Sequence, residues 1–530
     1  VGTTLFNLAV RPGTGALYVS NLDARNDVRF EGIVPDGLHG VRGDVAQSRI
    51  TIVDGATVTP RHLNGHVDYG RVPGSEDEIE RSVAFPTGMA FSSDGATVYV
   101  AALGSSRVAV LDATALEGGF FAPETIEVGG GPTGVALDEA RDRLYVMSRF
   151  EQRVGIVTSL GDRNARAQTS SVSLRFDPTP PAIRQGRRFL YDARHTSAHG
   201  DAACATCHTF GDLDALAWDL GDASAGTALV PNPNPFRRGA GQPFHPLKGP
   251  MTTQSLRGMA HSGPMHWRGD RTGGASGGDP LDEELAFKAF NPAFVGLLGR
   301  GSQLAADEMQ AFTDFALTLA YPPNPVRALD DAPTAEQAAG EAVFTTLPNT
   351  DGAGTCNVCH ALPLGTDGFS TTEGETQEFK IAHLRNLYQK VGMFGLIGPN
   401  GTGFLGPQVR GFGVLHDGSV ANVFTFLDAG PFNFGADPVL AETRIRNVES
   451  FLLAFDTGLK PAVGQQVSLA GAGASDPGVT ARLDLLIARH EAGDCELVAH
   501  GVVAGEQRGA LYTGSGLFRS DRAADAPVST

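Results

Sequence analysis

The sequence is poor in cysteine, with five copies among 530 residues. A disulfide-built scaffold of this size would need many more, and an odd number leaves one thiol over. Four of the five form two closely spaced pairs, whereas Cys495 stands alone. We therefore expect the pairs to carry chemistry and Cys495 to be a free thiol or to pair outside this chain.

Basic residues are outnumbered, since 41 Lys and Arg stand against 59 Asp and Glu and give a net charge of −18. Nucleic-acid binding and docking on an anionic membrane both need an excess of basic side chains, so the charge argues against both. It favours a partner with a cationic or neutral docking face. No apolar run reaches the roughly 20 residues that a membrane-spanning helix needs.

The sequence also begins without an initiator methionine or a signal peptide, so we expect Val1 to follow a processing or truncation point. Hydrophobic residues make up 41% of the composition and aromatic residues 8%, which indicates a folded globular chain. The length corresponds to roughly three to four domains.

A repeat with a period of 46 residues runs through the first part of the chain. Units of several short strands with a period of about 40–50 residues are typical of β-propeller blades. An earlier copy occupies residues 6–54 and contains an insertion. Closed propellers have roughly four to eight blades, so either further blades precede Val1, which is the alternative we favour, or the propeller is incomplete. The anchors of the repeat are the pairs Pro86 and Pro132, Tyr99 and Tyr145, and Val108 and Val154.

A proline-rich boundary near residue 177 ends the strand pattern, and apolar residues then recur at helical spacing. We predict four domains. Residues 1–177 form the propeller-like part, 178–330 and 331–457 form two helical units, and 458–530 form a tail with a short helix and strands.

Two copies of Cys-x-x-Cys-His stand in the helical part, at residues 204–208 and 356–360. This is the attachment motif of c-type haem, in which two thiols form thioethers with the haem vinyl groups and the histidine ligates the iron. Two Cys-x-x-Cys pairs could instead form one zinc site or act as redox dithiols. The long separation of the pairs and the histidine after each favour haem. The predicted attachment and ligand residues are Cys204, Cys207, His208, Cys356, Cys359 and His360.

The surroundings of the two motifs are duplicated as well. A helical pattern with a glycine precedes each motif, and a Leu-Arg pair follows it at residues 256–257 and 384–385. Nine residues after each of these leucines stands a methionine, Met265 or Met393. A thioether ligand stabilises reduced iron, so both methionines are predicted as sixth ligands. Arg257 and Arg385 are candidates for pairing with the haem propionates.

Other side chains compete for roles near the first haem. His261 and His266 are rivals of Met265, and bis-histidine ligation would lower the reduction potential instead of raising it. Trp267 could act as a relay between the haems, although core packing explains it equally well. His416 could line a distal pocket, although an Asp-Gly turn also explains its surroundings.

Residues 180–456 resemble the bacterial dihaem cytochrome c peroxidase superfamily, which includes the dihaem enzyme that matures methylamine dehydrogenase. Besides the two haem motifs, residues 265–271 (Met-His-Trp-Arg-Gly-Asp-Arg) are similar to the family's Phe-Trp-Asp-Gly-Arg stretch. Residues 384–386 (Leu-Arg-Asn) and 415–418 (Leu-His-Asp-Gly) are similar to a second family signature. The resemblance implies that Trp267 is the inter-haem tryptophan, and it implies a structural calcium ion, whose ligands no run in the sequence identifies.

The sequence also departs from the family's pattern at one point. In the peroxidases, a glutamate ahead of the first unit's last helix assists peroxide cleavage, whereas residues 290–298 here contain no acid. This puts peroxidase activity in doubt and leaves haem attachment untouched. The N-terminal units resemble surface-layer-type propellers built on a Tyr-Val strand, which implies a docking or scaffold module.

The predicted fold is therefore multidomain, with N-terminal all-β propeller-like blades followed by a mainly α, cytochrome-c-like dihaem region. The predicted function is electron transfer to or from a redox partner protein by two covalently bound haem c groups. The resemblance implies a periplasmic or extracytoplasmic location, where bacteria attach haem c. One alternative is a dihaem peroxidase-type oxidoreductase with His416, His266 and Trp267 as catalytic candidates. Another is a propeller-based binding protein with accessory haems.

Overall fold

The computed structural model describes residues 1–34, 40–174, 177, 179–227, 244–348, 354–371, 377–390, 413–471, 476–522 and 528–529. The chain divides into two compact units. Within the described ranges, no helix has the length and apolar character needed to cross a membrane. Unit 1 consists of Val1–Leu319, Gly368–Ile381 and Gly392–Ser419, and unit 2 consists of Ala320–Asp367, Ala382–Val391 and Val420–Thr530.

Unit 1 begins with three antiparallel four-stranded sheets, each formed by strands that follow one another in the chain. This up-and-down order is that of propeller blades, and the first strands of the three sheets lie side by side. The described residues of this region form these three sheets and no closed ring. The strands are β1 (Thr4–Val10), β2 (Leu17–Ala24), β3 (Ala46–Asp54), β4 (Thr57–His62), β5 (Pro86–Phe91), β6 (Thr97–Ala102), β7 (Arg107–Asp112), β8 (Glu124–Glu127), β9 (Pro132–Asp138), β10 (Arg143–Ser148), β11 (Arg153–Thr158) and β12 (Ala167–Ser173).

The 46-residue repeat is confirmed strand by strand, because β5, β6 and β7 begin 46 positions before β9, β10 and β11. The Pro-Thr-Gly motif of the repeat lies where neighbouring sheets touch. Thr87 accepts a hydrogen bond at its carbonyl from Ser20 Oγ (2.8 Å) and donates one from Oγ1 to Pro132 O (3.3 Å). A Cβ on Gly88 would lie 2.8 Å from the Cα of Gly134, so the glycines allow the sheets to approach.

The rest of unit 1 consists of short helices joined by long irregular segments. Two short hairpins connect parts of this region, β13 (Ala217–Trp218) with β14 (Met251–Thr252), and β15 (Ser370–Thr371) with β16 (Phe379–Lys380). The helices of unit 1 are α1 (Glu76–Arg81), α2 (Ala113–Gly118), α3 (Pro181–Tyr191), α4 (Ala193–Thr196), α5 (Glu283–Lys288), α6 (Ala293–Gly296) and α7 (Ala306–Ala316).

The insertion of the first sheet packs on this helical region. Phe30 N donates to Asp219 O (2.9 Å), and Gly43 N donates to Leu297 O (2.8 Å). Leu22 and Val41 share one hydrophobic core with Phe189 and Phe312. The sheets and the segment around the first Cys-x-x-Cys-His motif are therefore joined by a common core.

Helices α3 and α7 pack at a glycine. A Cβ on Gly186 would lie 2.1 Å from Ala311 O, so only glycine permits this approach. The ring of Phe189 lies 6.2 Å from that of Phe312. The helical pattern with a glycine that precedes the first motif is confirmed as α3, and this glycine is what brings α7 close.

Unit 2 repeats this arrangement with α8 (Ala335–Thr346) and α11 (Pro438–Leu453). A Cβ on Gly340 would lie 2.0 Å from Asn447 O. The rings of Phe344 and Phe451 lie 5.3 Å apart. The two helical regions therefore share one mode of packing, as their duplicated sequence pattern predicts.

The remaining elements of unit 2 include the predicted C-terminal helix and strands. Tyr512 donates a hydrogen bond to Glu491 Oε1 (2.7 Å), which ties the last sheet to the last long helix. These elements are α9 (Cys356–Cys359), α10 (Val423–Leu427), α12 (Pro477–Glu491), β17 (Val498–Val503), β18 (Glu506–Tyr512), β19 (Leu517–Ser520) and β20 (Val528–Ser529).

Candidate functional site

The two Cys-x-x-Cys-His motifs adopt the same backbone turn. In each, the amide of the histidine donates to the carbonyl of the first cysteine at 2.9 Å, from His208 to Cys204 and from His360 to Cys356. The φ and ψ angles are −89° and 61° at His208 and −88° and 59° at His360. The turn thus presents two thiols and one imidazole within five residues, twice in the chain.

The imidazole orientation is also shared. His208 Nδ1 donates to Gln254 O (2.9 Å), and His360 Nδ1 lies within donating distance of Gly365 O (3.0 Å) and Ala382 O (3.1 Å). A carbonyl only accepts, so Nδ1 carries the proton in both rings and Nε2 carries the lone pair. Second-sphere partners of this kind are what fix a metal-ligating histidine.

The acceptor carbonyls explain the duplicated Leu-Arg pairs. Gln254 stands two residues before Leu256, and Ala382 stands two residues before Leu384. The Leu-Arg segment of each half therefore passes beside its own histidine and supplies the acceptor. Sequence spacing indicated the segment, whereas its backbone role became visible only in three dimensions.

Burial determines the protonation of these groups. It lowers the pKa of both His208 and His360, so both rings are neutral at physiological pH. It raises the pKa of the Cys204 thiol to about 12 and that of Cys207 well above its ordinary value. Both histidines nevertheless keep accessible surface, which is typical of side chains that face a recess.

The donor set fits haem c. Each half offers two thiols for thioether bonds and one neutral imidazole with Nε2 available, which is what the attachment motif requires. The described residues contain no cluster of three or more His, Cys, Asp or Glu side chains suited to a metal ion.

Met265 is buried and belongs to the hydrophobic core against which Cys204 packs. Its backbone pairs with Arg271, since Met265 N donates to Arg271 O (2.8 Å), and this closes a loop over residues 265–271. Of the rival ligands, His261 is exposed. His266 is half-buried, and its Nδ1 donates to Asp270 Oδ1 (2.6 Å).

Asp270, which the sequence did not single out, holds the 265–271 loop together. Besides His266, it binds Arg268 through Oδ2 (3.0 Å) and lies 3.6 Å from Arg271 Nη1. Burial alone would raise the pKa of Asp270, but His266 and the two arginines hold it well below its ordinary value. An acid four residues after a histidine was the available sequence signal.

The backbone of the 265–271 loop recurs at residues 414–418. His266 and Leu415 have φ angles of 71° and 69°, and Gly269 and Gly418 have φ angles of 64° and 69°. Gly269 N donates to His266 O (3.0 Å), as Gly418 N does to Leu415 O (3.2 Å). The structural counterpart of Trp267 is therefore His416, and the counterpart of Met265 is Val414. Met393, which was paired with Met265 by spacing, lies outside the described residues.

Trp267 and His416 both bind the backbone of Thr252. Trp267 Nε1 donates to Thr252 O (2.7 Å), and Thr252 N donates to His416 O (2.6 Å). Lys380 N donates to Trp267 O (2.9 Å), and the ring of Phe379 stacks on His416 at 4.3 Å. The structure thus brings together two residues that the sequence singled out 149 positions apart.

The two predicted propionate partners differ in their surroundings. Arg257 Nη1 forms an ion pair with Asp212 Oδ2 (2.8 Å). Arg385 is 8% exposed, lies over the ring of Tyr321, and has a pKa lowered by burial. Cys495 lies far along the chain in unit 2 and is half-buried, with its carbonyl accepting from His490 Nδ1 (3.0 Å).

No family model matches the sequence, and no curated protein matches it. Solved structures of Kuenenia stuttgartiensis hydrazine synthase are similar to parts of it at 18% identity. One match covers 30% of this chain and 46% of that chain with a TM-score of 0.23. Another, of crystals pressurized with xenon, covers 52% and 88% with a TM-score of 0.31.

The β-propeller domain of Myceliophteria thermophila Cps50 (Swd1) is similar at 12% identity, with 32% of this chain and 58% of that chain covered and a TM-score of 0.19. The chain spans about half the length of the first of these structures. All these TM-scores lie below 0.5. The propeller-like character of the three sheets is evident from their strand order alone.

Proposed function

We propose that the chain is a dihaem c-type cytochrome that transfers electrons to or from a redox partner protein. The observation that carries the proposal is the repeated imidazole geometry. His208 and His360 share one turn conformation and one type of Nδ1 acceptor, and both keep Nε2 for a ligand. A surface or core histidine does not require this duplication.

The residues of the two motifs would have distinct roles in haem binding. Cys204 and Cys207 would hold one haem, and Cys356 and Cys359 the other, by thioether bonds. His208 and His360 would supply the proximal ligands, with their tautomers fixed by backbone carbonyls. When bound, haem c supplies reversible one-electron transfer. Arg385, a buried guanidinium, is suited to offset a propionate in the second half. Arg257, which forms an ion pair with Asp212, is the candidate in the first half.

For the first haem, Met265 fits the sixth position best because it is buried in the core that Cys204 joins. His266 is the remaining rival, since its Nδ1 is fixed by Asp270 and its Nε2 is the free ring nitrogen. For the second haem, Met393 remains the predicted ligand from its spacing to Leu384.

Trp267 and His416 would lie on the route between the haems. They occupy matching positions of the two loops, and both bind the backbone of Thr252, from Trp267 Nε1 to Thr252 O and from Thr252 N to His416 O. A buried indole joined to His416 through the backbone of a single residue suits electron transfer. The N-terminal sheets would serve as the docking or scaffold module, and the periplasmic or extracytoplasmic location follows from haem c attachment.

A peroxidase-type oxidoreductase is the second candidate, and one observation favours it. The His266–Asp270 pair places a histidine with a fixed tautomer beside Met265, which is the arrangement of a general base. Peroxidase activity would require an open iron in the first half.

The spin state and axial ligation of each haem decide between the two. We expect the oxidised protein to show a methionine–iron(III) absorption band and no high-spin signal. Met265→Ala should abolish that band for one haem, while His266→Gln should leave it. A high-spin haem in the unsubstituted protein, together with peroxide turnover, would favour the peroxidase instead.

A further inference from the structure

A buried cluster of titratable side chains lies in unit 1, apart from the two haem motifs. It forms where the end of β4, the loop after it and α1 pack on residues 197–203, the segment that leads into Cys204. Gly74 N donates to Ala198 O (3.1 Å) at this contact. The members of the cluster are His62, His66, Tyr69, Glu78, His199 and Asp201.

Asp201 is the centre of the cluster and is 4% exposed. Its Oδ2 accepts a hydrogen bond from the Tyr69 hydroxyl (2.5 Å), whereas its Oδ1 has no hydrogen-bond partner among the described residues. A buried carboxylate with one uncompensated oxygen favours its protonated form. Burial accordingly raises the pKa of Asp201 to about 6.

Tyr69 connects Asp201 to the N-terminal sheets. Its hydroxyl also lies 3.3 Å from His62 Nε2, and His62 ends β4 and is half-buried. Burial lowers the pKa of His62 to about 4, with Arg49 and His66 adding to the effect. Tyr69 and His62 therefore form a hydrogen-bonded link from the buried carboxyl toward the surface.

The other side of the cluster holds one fixed charge. Glu78 accepts from Asp68 N (3.0 Å) and Ser75 N (2.7 Å), and these donors outweigh burial and lower its pKa. His199 is fully buried, and its Nδ1 lies 3.8 Å from Glu78 Oε2. Burial lowers the pKa of His199.

The remaining charges act from further out. Arg25 faces Tyr69, and Arg71 and Asp68 face His199. Burial lowers the pKa of His66, which contacts the Glu78 carbonyl. With the three imidazoles neutral and Glu78 ionised, Asp201 is the group of the cluster whose charge changes near neutral pH.

We propose that Asp201 is a redox-linked proton site, which takes up one proton from solvent when the haem of Cys204, Cys207 and His208 gains an electron. The proposal rests on the proposed function. The electron comes from the one-electron donor that serves as redox partner, and the carboxylate becomes a carboxylic acid, so the local charge is unchanged. Loss of the electron releases the proton.

The chain keeps Asp201 close enough for this coupling. Only Ala202 and Ala203 lie between Asp201 and Cys204, which limits the Cα–Cα distance of Asp201 and Cys204 to about 11 Å. A unit change of charge about 12 Å away, in an effective dielectric constant of about 20, shifts a protonation equilibrium roughly tenfold. Asp201 would therefore respond to the charge of the first haem.

The test is the pH dependence of the two reduction potentials, measured by redox titration between pH 5 and 8 after haem content has been confirmed. In the unsubstituted protein, the reduction equilibrium constant of one haem should fall by up to about tenfold in total over this pH range, because the coupling between the proton and the electron is roughly tenfold. Asp201→Asn should remove that dependence. Asp54→Asn, at an exposed position, should keep it.

The Tyr69→Phe variant provides an independent test of the proposal. The Tyr69 hydrogen bond lowers the pKa of Asp201, so its loss should move the pH window upward. An infrared difference spectrum should show a protonated carboxyl band on reduction, which Asp201→Asn removes. Equal pH dependence in the unsubstituted protein and Asp201→Asn, or an unmoved window in Tyr69→Phe, would overturn the proposal. Absence of covalent haem would overturn the proposed function itself.

Discussion

A Cβ added to Gly186 would lie 2.1 Å from the carbonyl oxygen of Ala311. In the same way, a Cβ added to Gly340 would lie 2.0 Å from the carbonyl oxygen of Asn447. These two glycines set the approach of α3 to α7 and of α8 to α11. The same device in both halves accounts for the duplicated helical pattern that precedes each Cys-x-x-Cys-His motif.

Gly186→Ala and Gly340→Ala should each destabilise the chain by about 1–3 kcal/mol, because the helices must separate to admit the methyl group. Urea unfolding of each variant measures this change. Gly296→Ala is the matched control, since no atom lies within 4 Å of a Cβ there. Unfolding midpoints equal to that of the control would contradict the close packing of α3 on α7 and of α8 on α11.

Thr87→Val should destabilise the N-terminal sheets by about 1 kcal/mol, since it removes the hydroxyl that donates to Pro132 O and Ala101 O. Denaturant unfolding followed by far-ultraviolet circular dichroism checks this. Thr133→Val, at the same position of the next sheet, is the comparison because that residue is only half-buried. A smaller loss for Thr87→Val than for Thr133→Val would contradict the assigned inter-sheet bond.

Asp201→Asn should stabilise the protein at neutral pH. The folded-state pKa of about 6 lies above the unfolded value of about 3.9, so the folded chain binds more protons between these values. Stability contributed by the protonated form is present below about pH 4 and is lost as the pH rises through 6. The variant should match the unsubstituted protein at pH 4 and exceed its free energy of unfolding by about 1–3 kcal/mol at pH 7.5. Equal stability at pH 7.5 would contradict the raised pKa of the buried Asp201 carboxyl.

Trp267→Phe should slow electron equilibration between the haems while leaving each absorption spectrum in place. The substitution keeps an aromatic ring but removes the indole N–H that binds Thr252 O, which leaves a buried carbonyl without that donor and lowers stability by about 1–2 kcal/mol. Rapid-mixing kinetics on half-reduced protein measures the rate. Trp218→Phe is the control, because Trp218 binds Asp214 instead. Equal rates in both variants would exclude Trp267 from the route.

Local patterns in the sequence predicted much of the fold. The 46-residue period located β5–β7 and β9–β11 because strand and turn chemistry repeat within each blade. The glycine and apolar pattern located α3 and α8 for the same reason. The two Cys-x-x-Cys-His motifs were visible in the sequence, because each is encoded in five consecutive residues.

The rest depended on tertiary contacts. The backbone carbonyls of Gln254 and Ala382 accept hydrogen bonds from His208 and His360. Any residue type has such a carbonyl, so the sequence does not reveal these contacts. Spacing from Leu384 matched Met393 with Met265, but the loop that matches residues 265–271 begins at Val414, 30 residues after that leucine rather than nine. An extra stretch of chain in the second half conceals this correspondence. The Asp201 cluster joins segments more than 100 residues apart, so no local pattern reveals it.

Covalent haem attachment is the central claim, and mass spectrometry of the intact protein from a host that matures c-type cytochromes tests it most directly. We expect two haem adducts. Replacing Cys204 and Cys207 by serine should remove one adduct, and replacing Cys356 and Cys359 should remove the other. A chain without adducts, or one that retains zinc through these four cysteines, would contradict the account.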